Sequence, residues 1–111
     1  MIGEYKREER IDQELARFAG VALNTTNPDV FAECVRKIIR LRIDRQMGMT
    51  HSDACQIKRY GRGYSAEARQ RAKDFAPALV AEIERVALLS DDEIRAELEA
   101  LAAPVAVDRA A

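Results

Sequence analysis

Apolar residues recur along this chain at the three- and four-residue spacing of amphipathic helices, and no segment alternates as a β-strand would. We therefore expect an all-α fold, a compact bundle of about five helices. The expected helices cover about 4–23, 28–47 and 51–60, then begin near Ser65 and near Ser90. The stripe of the first one consists of Ile11, Leu15, Phe18 and Ala22.

Polar residues with capping preferences stand at the predicted helix ends. Asn27 is placed to cap the second helix, with Pro28 at its first position, and Gly48 fits its C-terminal stop. Thr50 and Asp53 form a capping box for the third helix, with Asp in the place of the usual Glu.

The fourth predicted helix contains a proline. Its apolar stripe, Phe75, Leu79, Ile83 and Val86, is expected to face inward. Because Pro77 lies inside this pattern, either the helix kinks there or two helices meet.

The last predicted helix opens with a capping box, Ser90 to Glu93. Ile94, Leu98 and Leu101 should face inward, and Pro104 should end the helix. Residues 1–103 are then one helical domain and 104–111 a flexible tail.

Charge is segregated along the chain, although the net charge is only −1. Residues 1–35 have a net charge of −3, residues 36–73 of +8, and residues 74–111 of −6. A basic segment of this kind is typical of a phosphate-binding surface, or else it packs against the acidic segments within the fold.

Composition indicates a globular protein of the cytoplasm. The chain is 48% hydrophobic and 33% charged, and no run of about 18 apolar residues could span a membrane. The N-terminus has no apolar segment of a signal peptide. Two cysteines, Cys34 and Cys55, are expected to be free thiols.

The segment from Gly48 to Arg69 has the pattern of a helix-turn-helix. Glycine suits the tight turn, Met49 would fill the gap between the two helices, and Thr50 would cap the second helix. The N-terminal residues of that second helix would then be free to enter a major groove.

Residues 48–72 resemble the DNA-binding headpiece of LacI-type repressors. Gly48-Met49-Thr50 corresponds to the G-V-S turn of that family, and the segment from Tyr64 to Arg69 corresponds to its V-S-x-x-T-R motif. Asp44 departs from the family, which has a small apolar residue there. The resemblance implies base contacts by His51, Ser52 and Gln56, and backbone phosphate contacts by Thr50 and Arg69.

We therefore expect binding of nucleic acid, duplex DNA above all, in a small transcriptional regulator that pairs as a homodimer. The apolar stripes of the first and last helices are the candidate dimer interfaces. The basic side chains expected to contact phosphates are Arg36, Lys37, Arg40, Lys58, Arg59, Arg62 and Arg69.

Other functions stay open at this point. The chain could be a helical protein-binding module, an adaptor or a phage-type inhibitor, docking on an acidic protein surface without nucleic acid. Tyr60 and Tyr64 flank Arg62, an arrangement that can also stack on single-stranded RNA.

Catalysis and metal binding are not expected. His51 and Cys55 stand at i, i+4, but a zinc site normally needs four ligands, and a catalytic pair needs an orienting third group. We expect no enzyme activity, no cofactor and no metal, with Cys55 in the core and His51 on the surface.

Overall fold

The computed structural model describes the backbone of residues 2–110 and the side chains of residues 7–103. Within these limits the protein is all-α, without a β-strand, which confirms the predicted fold class. The five helices are α1 (Ile2–Asn24), α2 (Pro28–Met47), α3 (His51–Arg59), α4 (Ala66–Ala87) and α5 (Asp91–Ala110).

The two ends of α2 form as the sequence predicts. The Asn27 side chain accepts hydrogen bonds from the backbone N–H groups of Asp29 and Val30, and Pro28 is the first helical residue. Gly48 terminates the helix with a φ of 68°, a left-handed conformation that favours glycine.

Both internal prolines lie within helices. Pro77 is exposed inside a single continuous α4, so no second helix begins there. Pro104 lies inside α5, which continues to Ala110, so the prediction that Pro104 ends the helix was wrong. A proline removes one N–H donor, and the turns on either side can still hold the helix together. The flexibility of residues 104–111 stays a prediction.

Two hydrophobic clusters form the core, and α2 contributes to both of them. The first cluster joins α1, the N-terminal half of α2 and α5, and the second joins the end of α2, α3 and α4. The buried side chains of the first are Ile11, Leu15, Ala19, Ala22, Cys34, Ile38 and Leu98. Those of the second are Ile43, Met49, Ala54, Ile57, Ala72 and Phe75.

The apolar stripes on α1 and α5 are buried in the first cluster. These stripes pack against each other and against α2, so they are not free to form the dimer interface we expected. In α4, Phe75 is buried as predicted, but Ile83 is 48% exposed and does not face inward. This part of α4 packs on α2 and α5 through Glu82, Val86 and Leu89, and Ile83 lies outside that packed face.

Candidate nucleic-acid interface

The turn between α2 and α3 is held by a buried methionine and by a capping box. Met49 is buried in the second cluster, where it fills the space between the helices. The Thr50 hydroxyl accepts a hydrogen bond from the Asp53 backbone N–H at 3.0 Å, and the Asp53 carboxylate accepts one from the Thr50 backbone N–H at 3.3 Å. The predicted capping box is therefore present.

One face of α3 packs on the protein and the opposite face is open to solvent. Ala54 and Ile57 are buried against α4, whereas Ser52 and Gln56 are exposed. Because Ser52 and Gln56 are four residues apart, they lie on one face of the helix. A ligand approaching α3 can therefore reach these two predicted base-contacting residues.

His51 has a different environment from the other two predicted base contacts. It is half-buried, and its ring meets the Phe75 ring edge-on, with 5.6 Å between centroids. Packing on Phe75 holds the imidazole at the border of the second cluster. The three residues therefore share one short helix, but only Ser52 and Gln56 have exposed side chains.

Cys55 was placed wrongly by the sequence reasoning. It is exposed on α3, and the buried cysteine is Cys34 in the first cluster. The Sγ atom of Cys55 lies 3.9 Å from both ring nitrogens of His51. The helical spacing could have shown this, because Cys55 follows Ser52 by three residues whereas the buried Ala54 and Ile57 lie on the other face.

Arg59 also belongs to this solvent-facing surface. It follows Ser52 by seven residues, which are close to two helical turns, and it is exposed. We call Ser52, Cys55, Gln56 and Arg59 the open face of α3. A polar hydroxyl, a thiol, an amide and a guanidinium thus stand in line along one side of the helix.

Exposed basic side chains lie beyond both ends of α3. Arg36, Lys37 and Arg40 are exposed on α2, and Arg40 lies close enough to Asp44, beside the start of α3, to influence its ionisation. At the other end, Lys58, Arg62 and Arg69 are exposed around the loop that leads into α4. Of these, Arg40, Lys58, Arg62 and Arg69 lie near the ends of α3, whereas Arg36 and Lys37 lie about three turns before the end of α2.

The fold neutralises only part of the basic segment. Arg42 pairs with Glu82 and Glu97, and Arg45 pairs with Glu8 and Asp12. Among the predicted phosphate contacts, Arg36 forms an ion pair with Glu33 at 2.6 Å. Within the side chains that the structure describes, the others form no ion pair: Lys37, Arg40, Lys58, Arg59, Arg62 and Arg69.

Thr50 and Arg69 lie at the starts of two helices. The Thr50 hydroxyl is half-buried and accepts the capping hydrogen bond, so its own proton is free to be donated. Arg69 is exposed in the first turns of α4, where Ser65 caps the helix by accepting from the Ala68 backbone N–H at 3.1 Å. Helix N-termini favour anions, so both positions suit a phosphate contact.

The loop between α3 and α4 holds the aromatic residues that suggested single-stranded RNA. Tyr60 and Tyr64 are both exposed, at 60% and 38% respectively. The Arg59 guanidinium lies over the Tyr60 ring, 5.9 Å from its centroid. Because the two residues are neighbours in sequence, this contact is local to the C-terminal end of α3.

The described residues offer neither a metal site nor a membrane-spanning helix. No group of three or more His, Cys, Asp or Glu side chains there could hold a metal ion. None of the described helices combines the length and apolar character needed to cross a membrane.

Comparison with known proteins adds no relative: no family model, curated protein or solved structure matches the chain.

Proposed function

We propose that this chain binds duplex DNA through the helix-turn-helix of α2 and α3, as a small transcriptional regulator. The observation that carries the proposal is the arrangement of α3. Its apolar face is buried on α4, its open face is polar and accessible, and basic side chains that pair with no described residue lie near its ends, namely Arg40, Lys58, Arg62 and Arg69. Recognition of a major groove by a helix requires one face that packs on the protein and an opposite, accessible face with polar side chains.

The basic side chains at the two ends of α3 would supply affinity without sequence preference. Each phosphate contact releases counterions, so the binding constant falls with salt, by roughly 0.9 log unit in K per log unit of salt for each contact. Base contacts on the open face would supply specificity. Ser52 and Gln56 carry the hydroxyl and amide groups that read base edges.

The first measurement is binding to random duplex DNA at about 50 and about 200 mM salt, where the electrostatic contribution differs strongly. We expect measurable binding at the lower concentration and a steep loss at the higher one. Replacement of Arg59 and Arg62 by Ala should weaken binding and reduce the salt dependence. Absence of binding at about 50 mM salt would rule out the proposal.

The second measurement locates the interface through the two cysteines. Cys55 is exposed on the open face and Cys34 is buried, so a maleimide should modify Cys55 alone in the folded protein. Bound DNA should slow the labelling of Cys55, and the labelling rate should return to that of the free protein when salt displaces the DNA. Equal labelling with and without saturating DNA would place the DNA elsewhere on the molecule.

Specificity is tested once a preferred site has been selected from random sequences. Alanine at Ser52 and Gln56 should abolish preference for that site and leave the salt-sensitive background binding intact, because base contacts specify and phosphate contacts position. Both side chains are exposed, so stability should change by less than about 0.5 kcal/mol. The matched control is Gln70→Ala, an exposed glutamine on α4 outside the open face.

A further inference from the structure

A cavity of about 180 Å³ lies where α1, α2 and α4 meet, beside the turn that precedes α3. The charged residues in its lining come from all three helices: Arg7, Glu8, Asp44, Arg45 and Arg71. One water takes up about 30 Å³ in the liquid, so the cavity has room for a group of about five or six non-hydrogen atoms. We call it the arginine cavity.

Two buried polar atoms of the cavity lining have no hydrogen-bond partner among the described residues. They are Nη2 of Arg7 and Oδ1 of Asp44. Nη1 of Arg7 donates to the Gly48 carbonyl oxygen at 3.1 Å, which holds the guanidinium at the turn and leaves Nη2 available. Buried polar groups are nearly always hydrogen-bonded, so a donor and an acceptor left over at one cavity indicate a polar ligand.

The arginine cavity has an excess of positive charge. Arg45 pairs with Glu8 at 3.4 Å, so the charge of this carboxylate is compensated. Arg7 and Arg71 form no ion pair with any side chain that the structure describes. The end of Arg71 reaches the turn, because a Cβ atom at Gly48 would lie 3.2 Å from its Nη1. Two guanidinium groups are therefore available to one anion.

Asp44 is compatible with an anion when its carboxyl group is protonated. Burial raises the pKa of Asp44, and the charges of Arg40 and Arg7 and the backbone N–H of His51 oppose the shift. The protonated carboxyl donates one hydrogen bond, and a bound anion would favour this form because like charges disfavour ionisation. The charged groups around Asp44 are Arg7 and Glu8 on α1, Arg40 and Arg45 on α2, His51 on α3, and Arg71 on α4.

We propose that the arginine cavity binds one small free tetrahedral oxyanion of the phosphate type. Arg7 and Arg71 donate to its oxygens, and Asp44 donates to a further oxygen as the neutral acid. Guanidinium groups suit this ligand because their N–H donors match pairs of oxygens on a tetrahedral anion. The bound anion would join α1, α2 and α4 beside the start of α3.

This proposal does not rest on the proposed function. Arg7, Asp44 and Arg71 lie outside the residues assigned to DNA, and the anion is measured on the protein alone. Failure to bind DNA would leave the arginine cavity intact, and failure to bind an anion would leave the open face of α3 intact.

The first experiment is calorimetric titration of the full chain with sodium sulfate, an oxyanion that stays unprotonated, at about pH 5 and constant ionic strength. We expect one sulfate per chain. Arg71→Gln should weaken binding about tenfold, because it removes a charge-assisted hydrogen bond. The matched control is Lys73→Gln, an exposed residue of α4 outside the cavity lining, which should bind as wild type. No binding at about 10 mM sulfate, or equal losses in both variants, would overturn the proposal.

The second experiment tests the buried acid with Asp44→Asn. The Asn amide donates at every pH, whereas Asp44 loses its donor when it ionises. The variant should therefore bind sulfate about tenfold more tightly than wild type at about pH 8, and about equally at about pH 5. A gain of affinity cannot come from loss of the fold. Equal affinities at about pH 8 would contradict the contact between Asp44 and the anion.

The third experiment separates a free anion from the other source of such an oxyanion, the phosphates of bound DNA. The sulfate titration is repeated with saturating duplex DNA at the same ionic strength. We expect the sulfate affinity to be unchanged. Displacement of sulfate by DNA would assign the arginine cavity to the DNA backbone and overturn the proposal of a free-anion site.

Discussion

At the scale of single residues, Asp44 has the most unusual environment in the described part of the chain. It is the buried charged residue there, at 8% exposure, and its Oδ1 accepts no hydrogen bond from the described atoms. It lines the arginine cavity together with Arg7, Gly48 and Arg71.

Burial raises the pKa of Asp44 above its ordinary value, and the charges of Arg40 and Arg7 and the backbone N–H of His51 oppose the shift without cancelling it. A carboxyl group whose pKa is raised by folding binds its proton more tightly in the folded state. Its contribution to stability is therefore fully present below the unfolded pKa and is lost as pH rises through the folded pKa.

The corresponding prediction concerns Asp44→Asn, which stays neutral at every pH. The free energy of unfolding of the variant, relative to wild type, should increase as pH rises from about 3 to about 7, because only the wild type must ionise a buried group. Denaturant unfolding followed by circular dichroism at several pH values measures this. Asp74→Asn, on exposed α4 surface, is the control, and a parallel pH profile for the two variants would contradict the argument.

At the scale of elements, α3 depends on its cap and on its packing. With nine residues it is too short to be stable alone in water. The Thr50–Asp53 capping box satisfies two N–H groups at its start, and Ala54 and Ile57 fix it on α4. The open face of α3 is therefore accessible only because two interactions hold the helix in place. One is the local capping box, and the other is the tertiary contact with α4.

Removal of the cap should be measurable in α3 itself. Thr50→Ala should lower the free energy of unfolding by about 1 kcal/mol and accelerate amide hydrogen exchange in the first turn of α3. Thr50→Ser retains the hydroxyl and is the matched control, expected to stay close to wild type. If Ala and Ser give the same stability and exchange, the hydroxyl does not hold this helix.

At the scale of the whole molecule, an ion-pair network connects α2, α4 and α5. Arg85 on α4 donates to Glu82 at 2.7 Å and to Glu97 on α5 at 2.8 Å, and Arg42 on α2 donates to Glu97 at 2.9 Å. These contacts lower the pKa of Glu97 to about 2, with the Arg85 hydrogen bond as the largest cause and burial opposing it. Three helices are joined through one carboxylate.

Glu97→Gln should therefore lower stability at neutral pH by about 1 kcal/mol, a value discounted because the network is partly exposed. The stabilising contribution of a depressed carboxyl pKa is present above the unfolded pKa and is lost as pH falls through the folded one. The difference between variant and wild type should accordingly disappear between about 4.5 and about 2. The control is Glu99→Gln, at an exposed residue of α5 that pairs with Arg95. An equal loss of unfolding free energy in this control would show that the network stabilises the fold no more than an exposed ion pair does.

The sequence predicted the parts of this fold that short-range interactions control. Asn27, Gly48 and Thr50 act within a few residues of their own positions, so their types and spacing were enough to place the ends of α2 and the start of α3. The number of helices and most inward-facing residues followed from the apolar spacing in the same way. The form of the preceding turn led to Ser52 and Gln56 as predicted base contacts; the structure shows that both are exposed, and their role stays a prediction.

Tertiary packing decided what the spacing could not. Ile83 continues an apolar stripe yet is exposed, and Cys55 is apolar enough for a core yet lies on the open face, because burial depends on which neighbours reach a position. The same holds for charge: Arg42 and Arg45 are paired within the fold, whereas Lys58 and Arg62 pair with none of the side chains that the structure describes. Local sequence sets where helices begin and end, but the long-range arrangement of α1, α4 and α5 around α2 determines which faces meet solvent, and only those faces can bind a partner.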